Sequence, residues 1–226
     1  MLDLAALLLS LRLAAWTTLL LLVVGLPIAW WLATSRWRWK FLVEAVVSLP
    51  LVLPPTVLGF YLLLVLGPRS PLGRAFESLA GHPLPFSFGG LLVASVLYSL
   101  PFAVQPFTAA LAGVDRRLLE ASWCLGVSRF QTFLRVVLPL SATGILSGMV
   151  LTFAHTLGEF GVVLMVGGNL EGRTRTASIS IYDAVQALEY EAAGRTALLL
   201  LLFSFVVLAV TYGLQRRVWA AWPTRS

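Results

Sequence analysis

Charge is scarce in this chain, and so are the residues that build most soluble active sites. Only 12% of its 226 residues are Asp, Glu, Lys or Arg, against roughly 25% in an ordinary soluble domain. That scarcity, with a mean hydropathy of +0.90, excludes a soluble globular protein. Cysteine occurs once, at Cys124, which excludes an intrachain disulfide and a cysteine framework for a metal. Its apolar neighbours lead us to expect a buried thiol. Histidine occurs only at His82 and His155, with no thiol placed to complete a metal site. The sole lysine, Lys40, sits in a Trp-Arg-Trp-Lys context without glycines. A phosphate-binding loop of the form G-x-x-x-x-G-K-S/T is therefore missing. No Ser/His/Asp set, paired catalytic carboxylates or dinucleotide fingerprint occurs, so an enzyme has little support. The net charge of +6 would suggest nucleic acid in a soluble protein. Here the arginines gather in loops on one side, as membrane topology demands, and no nucleic-acid partner is expected.

What the chain does contain is apolar runs of membrane length. Leu13 to Ala33 predicts a first span, with Trp16 near one end and Trp30 and Trp31 near the other, where aromatic belts sit. The run is too long for a cleaved signal peptide. Arg36, Arg38 and Lys40 follow it directly, which places that flank in the cytoplasm and the N-terminus outside. Phe41 to Leu66 is broken by Pro50, Pro54 and Pro55. Each half is short of the about 20 residues a bilayer requires, so the expectation is one proline-distorted span. Neighbouring helices would have to satisfy its freed carbonyls. After a Gly- and Pro-rich outer loop to Phe88, Gly89 to Leu111 forms a third span, with Pro101 and Pro106 as kinks and Gln105 as a polar group.

Pro139 to about Val166 forms the fourth span, on which Ser141, Gly144, Ser147 and Gly148 recur at spacings of three and four. That is the pattern of close helix packing in lipid. The outer loop from Gly167 to Gly194 carries a short amphipathic helix through Ile179, Tyr182 and Val185, and Arg195 to about Leu214 is the fifth span. This arrangement puts ten of the sixteen basic residues inside, Arg216, Arg217 and Arg225 among them. The bias favours N-terminus outside, C-terminus inside. The fold class is an all-α integral membrane protein: a polytopic helical bundle of about five spans, forming one domain over residues 1–226.

Between the third and fourth spans the chain turns polar. Asp115 is a helix N-cap, Gly126 stops that helix, and Ser128 with Gln131 reads as a capping box opening a second one. A rigid helix-turn-helix on one membrane face is a docking surface. Its residues resemble the EAA loop of bacterial ABC-importer permeases, roughly E-A-A-x3-G-x9-I-x-L-P. The match is Glu120-Ala121-Ser122, Gly126, Val136, Leu138 and Pro139, with every spacing kept. Ser122 replaces the second Ala and Val136 the Ile. Residues 113–138 would thus form a cytoplasmic coupling loop. The resemblance implies that its first helix lies in a cleft of a separate ATPase, with Glu120 a polar contact and Gly126 the tight turn. ATP and Mg would be held by two copies of that partner, with no cofactor on this chain, and the permease would work as a homodimer in the bacterial inner membrane.

Three further stretches resemble the molybdate branch of these permeases, within the group that also carries tungstate and sulfate. They are Leu49 to Gly59 with Pro54 and Pro55, then Gly158-Glu159-Phe160-Gly161, then Gly172 to Thr176 with Ile181-Tyr182. The resemblance spans nearly the whole chain, starting close to the first core span, and implies molybdate as cargo, with tungstate or sulfate as alternatives. It also implies a separate oxyanion-binding protein outside the membrane. An ion-coupled carrier would instead show several intramembrane acids and no docking loop. Glu159 lies about 30 Å along the helix from Pro139, near the outer interface. Because a carboxylate repels an oxyanion, a structural or gating role is expected of it, paired with an arginine. His155 is expected to pack or hydrogen-bond. Arg173, Thr174, Arg175 and Thr176 form a candidate pathway set, since Arg and Thr suit an oxyanion through charge-assisted hydrogen bonds.

Overall fold

The computed structural model describes residues 3–221, with side chains through residue 213. The arginines expected on the inner tail (Arg216, Arg217, Arg225) lie outside the described side chains. Every regular element in the described part is helical. Helix α1 (Leu4–Thr34) begins nine residues before the expected span because the Asp3 carboxylate caps it, accepting from the Ala6 amide at 2.9 Å. Helix α5 (Phe88–Ala112) matches the third expected span to within a residue at each end. Helix α8 (Leu138–Gly158) continues without a break from a short α7 (Arg129–Thr132), through a wide π turn over Phe133–Val137. That turn directly precedes Pro139, which has no amide to donate and would crowd the Arg135 carbonyl in a regular helix.

Helices α1, α5 and α8 pack on one another to make the centre of the bundle. Leu21, Ala29, Val104, Phe107, Val137 and Ile145 form its apolar core. The small residues of α8 lie in this seam. Ser141 donates to the Ala110 carbonyl at 3.2 Å, and Gly144 and Gly148 face Ala110 and Phe107 of α5.

Two expected spans are corrected. The second is not one distorted helix but two, α2 (Lys40–Val52) and α3 (Pro55–Leu66), bent 113° against each other. The residue before a proline avoids the helical region, and here Leu53 and Pro54 are both extended, at ψ 135°. Among the described residues, four helices are long and apolar enough to cross a membrane, five if the bent pair counts as one span. The fourth span is also broken. Helix α8 stops at Gly158, Glu159 is extended, and α9 (Gly161–Gly167) follows. The second halves of the two broken spans pack together. A Cβ on Gly59 of α3 would lie 2.7 Å from that of Met165 on α9, and one on Gly161 2.8 Å from that of Pro55.

The loop after α3 contains α4 (Pro71–Ala80), capped by Ser70. The coupling segment contains α6 (Arg116–Cys124). Helix α10 (Ala177–Gln186) is the expected amphipathic helix, and α11 (Tyr190–Ala221) carries the last span.

Candidate functional site: a coupling loop and a buried acid at a helix break

The coupling loop is built by its caps. The Asp115 carboxylate accepts from the Arg117 amide at 2.9 Å, and the Ser128 hydroxyl accepts from the Gln131 amide at 3.3 Å. Between them, Gly126 takes φ +78°, its amide donates to Trp123 O, and the Val127 amide donates to Ser122 O. Both bonds of a glycine-terminated helix end are therefore present. The motif position filled by Ser122 has a use: its hydroxyl lies 2.9 Å from that of buried Thr132 on α7, fixing the two helices together.

Inward, Leu119, Phe133 and Leu138 pack against the bundle core, and the Phe133 ring lies 4.9 Å from that of Trp30 on α1. Outward, Leu118, Trp123, Leu125 and Phe130 are exposed, Leu125 at 83% and Phe130 at 70%. Glu120 is exposed too, 3.9 Å from Arg116, as are Ala121 and Pro139. Cys124 is also exposed, against the expectation of a buried thiol. Among the described residues the outer face of α6 meets only the Arg129 guanidinium, 5.6 Å from the Trp123 ring, so most of its apolar surface and its thiol are left uncovered.

The second constellation lies at the α8–α9 break. The Glu159 side chain is fully buried. Ser95 donates to one of its oxygens at 2.5 Å and Ser99 to the other at 2.6 Å. His155 Nδ1 lies 2.9 Å from Ser99 Oγ and 3.5 Å from the Glu159 carboxylate. The imidazole is stacked on Phe102, centroids 3.8 Å apart at 22°, with Tyr98 at 4.8 Å. An arginine partner was expected for Glu159; its partners here are two serines and a histidine. A charge in this apolar bundle requires hydrogen-bond donors, and the break in α8 aims the side chain at α5, where Ser95 and Ser99 stand one turn apart. His155 packs and hydrogen-bonds as expected. Sequence reasoning missed Ser95 and Ser99, whose i, i+4 spacing on an apolar helix was their only signal.

Beside this cluster is a cavity of about 590 Å³. It is lined by Pro55 and Thr56 of α3, Tyr98 of α5, His155 and Gly158 of α8, and Glu159, Phe160 and Gly161 at the break. Pro55 and the Gly158–Gly161 stretch, singled out separately in sequence, are thus brought together; Pro54 is the exposed corner between α2 and α3.

Within the Arg173–Thr176 set, Arg175 and Thr174 are engaged by neighbours in the chain. Arg175 donates to Asn169 at 2.7 Å and Glu171 at 2.6 Å, and lies 3.3 Å from Asp183. Thr174 is buried and donates to Gly167 O at 2.7 Å. Thr176 is buried at the start of α10, and Arg173 is exposed. Thr174 and Arg175 fasten the α9–α10 loop.

The chain as a whole is similar to known proteins. The molybdenum transport system permease protein ModB of Azotobacter vinelandii is 53% identical over 214 residues, 95% of each chain. Its namesake in Escherichia coli K12 is 35% identical over 93% of each chain. Among solved structures, a bacterial ABC transporter that imports the acidic polysaccharide alginate matches with a TM-score of 0.77 at 17% identity, over 95% of this chain and 79% of that one. The family model for binding-protein-dependent transport system inner membrane components matches residues 25–220, and the chain belongs to that family.

Proposed function

We propose that this chain is the membrane-spanning permease subunit of an ATP-driven importer of molybdate. The observation that carries the reading is the coupling loop: a short, doubly capped helix with an uncovered apolar face, fastened to the bundle core. Such a unit transmits force, which a disordered loop does not. Closure of a separate ATPase on ATP would push on α6, and the push would reach α1 through the Trp30–Phe133 contact and α8 through the continuous helix from Arg129. In this reading the chain performs no hydrolysis itself. Two ATPase copies, an external oxyanion-binding protein and a second copy of this chain complete the machine. It lies in the bacterial inner membrane, with N-terminus outside and C-terminus inside.

Molybdate as cargo is supported by relatives named for molybdenum transport, at 53% and 35% identity. Tungstate and sulfate share its tetrahedral shape and charge, and have less support. The experiment is cellular molybdenum content in a strain lacking the gene, grown at trace and at abundant molybdate. A deficit at trace levels, relieved by abundance, is expected. Normal molybdenum with impaired sulfate or tungstate uptake would change the cargo. In the same strain, Glu120→Lys should weaken uptake and ATPase association; both intact would remove the coupling assignment.

A further inference from the structure

The cavity at the α8–α9 break holds a group that helix packing alone does not use. We propose that His155 is a cargo-contacting residue, whose Nε2 edge donates a hydrogen bond to the oxyanion during passage. This rests on the reading of the chain as an oxyanion permease.

The ring's contacts leave one edge over. Ser99 Oγ lies 2.6 Å from the Glu159 carboxylate, 3.0 Å from Thr156 Oγ1 and 2.9 Å from His155 Nδ1, so the Nδ1 edge is turned into this cluster. Only the Nε2 edge is left for another partner. The ring is held between Phe102 and Tyr98, so its aim is set before any ligand arrives. Its side chain keeps 18% exposure and lines the cavity.

The charges are arranged to suit. Glu159, which would repel an anion, has 0% side-chain exposure and both oxygens occupied by serine hydroxyls. The ring then lies between Glu159 on one edge and the oxyanion on the other, and an Nε2–H donates to the anion in a charge-assisted hydrogen bond. The remaining titratable group on the cavity wall is Tyr98 of α5, with Tyr182 of α10 behind Phe160. Helices α3 and α9 contribute Pro55, Thr56, Gly161, Leu164 and Met165, none charged. A transport pathway must release what it binds, and one imidazole holds a dianion less firmly than an arginine cluster.

The test uses the permease–ATPase complex in proteoliposomes, supplied with cargo-loaded binding protein. The readout is oxyanion moved per ATP hydrolysed. His155→Gln retains an N–H donor, whereas His155→Phe retains the stack on Phe102 and has none. We expect the Gln variant to stay within about threefold of wild type and the Phe variant to fall roughly tenfold or more, the scale of one charge-assisted hydrogen bond. Equal ratios in the two variants, at any level, overturn the proposal, as does a higher ratio for Phe. If neither variant assembles, chemical modification of the otherwise intact complex decides. With the exposed His82 changed to Gln, saturating molybdate should protect His155 from diethyl pyrocarbonate; undiminished modification overturns the assignment. A wild-type complex that moves neither molybdate, tungstate nor sulfate defeats the importer reading itself, a result distinct from equal variants on an active wild type.

Discussion

The hydroxyl of Ser122 on α6 lies 2.9 Å from the hydroxyl of Thr132 on α7, and both residues are buried. The bond ties the coupling helix to the segment that runs on into α8. In Ser122→Ala, Thr132 keeps its bond to the Ser128 carbonyl at 3.0 Å. The loss is therefore one neutral hydrogen bond, about 1 kcal/mol. Amide hydrogen exchange in α6 should accelerate several-fold while that in α5 stays unchanged. Unaltered exchange in α6 would mean that the hydroxyl pair fastens nothing.

Gly126 permits a sharper test, because its constraint is purely one of backbone. At φ +78° a Cβ would find no heavy atom within 4 Å. Substitution thus meets left-handed strain and no collision. Gly126→Ala should cost about 1–2 kcal/mol, Gly126→Val more, and Gly126→Asn least, since Asn tolerates this region. Uptake per ATP hydrolysed should fall in the order Gly, Asn, Ala, Val. A ranking by side-chain size alone, with Ala better than Asn, would place the constraint in the ATPase cleft.

How much of this was legible beforehand depended on the range of the interaction. Bilayer thickness acts on contiguous residues, so the first, third and last spans could be read from run length. Caps act over three or four residues, and Asp115, Gly126 and Ser128 all behave as read. The broken spans were less legible. Pro54-Pro55 carries a clear local break, but the need for a membrane-length run argued for continuity, and only packing of α3 on α9 turns the chain by 113°. Glu159 reaches serines 64 and 60 positions away, a pairing no local pattern announces. Cys124 misled because apolar neighbours normally bury a thiol; on α6 they face away from the bundle.

The small-residue seam between α5 and α8 should be intolerant of added volume. A Cβ on Gly148 would sit 2.7 Å from Phe107 Cε1 and 3.2 Å from Pro106 Cβ, within a fully buried contact. Gly148→Ala should destabilise by about 1–3 kcal/mol, visible as a lowered unfolding temperature of the purified permease. Phe107→Leu in the same chain should recover part of that loss by making room. Gly194→Ala on α11, where nothing lies within 4 Å, serves as the control and should be neutral or slightly stabilising. Equal behaviour of the two alanines would remove the close-packing argument.

Glu159 gives the last test, in which chemistry and volume are separated. Its carboxylate accepts from Ser95 and Ser99 and has no exposed side-chain surface. Glu159→Gln keeps the shape but turns an amide N–H₂ toward a serine hydroxyl. That serine must rotate and lose its partner, about 1–3 kcal/mol for a buried donor. Glu159→Ala strands the Ser95 hydroxyl, leaves Ser99 with Thr156 Oγ1 at 3.0 Å, and opens a void, so it should cost more than Gln. Adding Ser95→Ala to Glu159→Ala removes the stranded donor and should raise the unfolding temperature above that of Glu159→Ala alone, because an unmade buried bond costs more than an absent one. Recovered stability without recovered transport would make the acid a working part of the α8–α9 break. Recovery of both would make it only a strut. A Glu159→Ala permease that unfolds at the wild-type temperature would contradict both roles, since a buried hydroxyl cannot lose its acceptor at no cost.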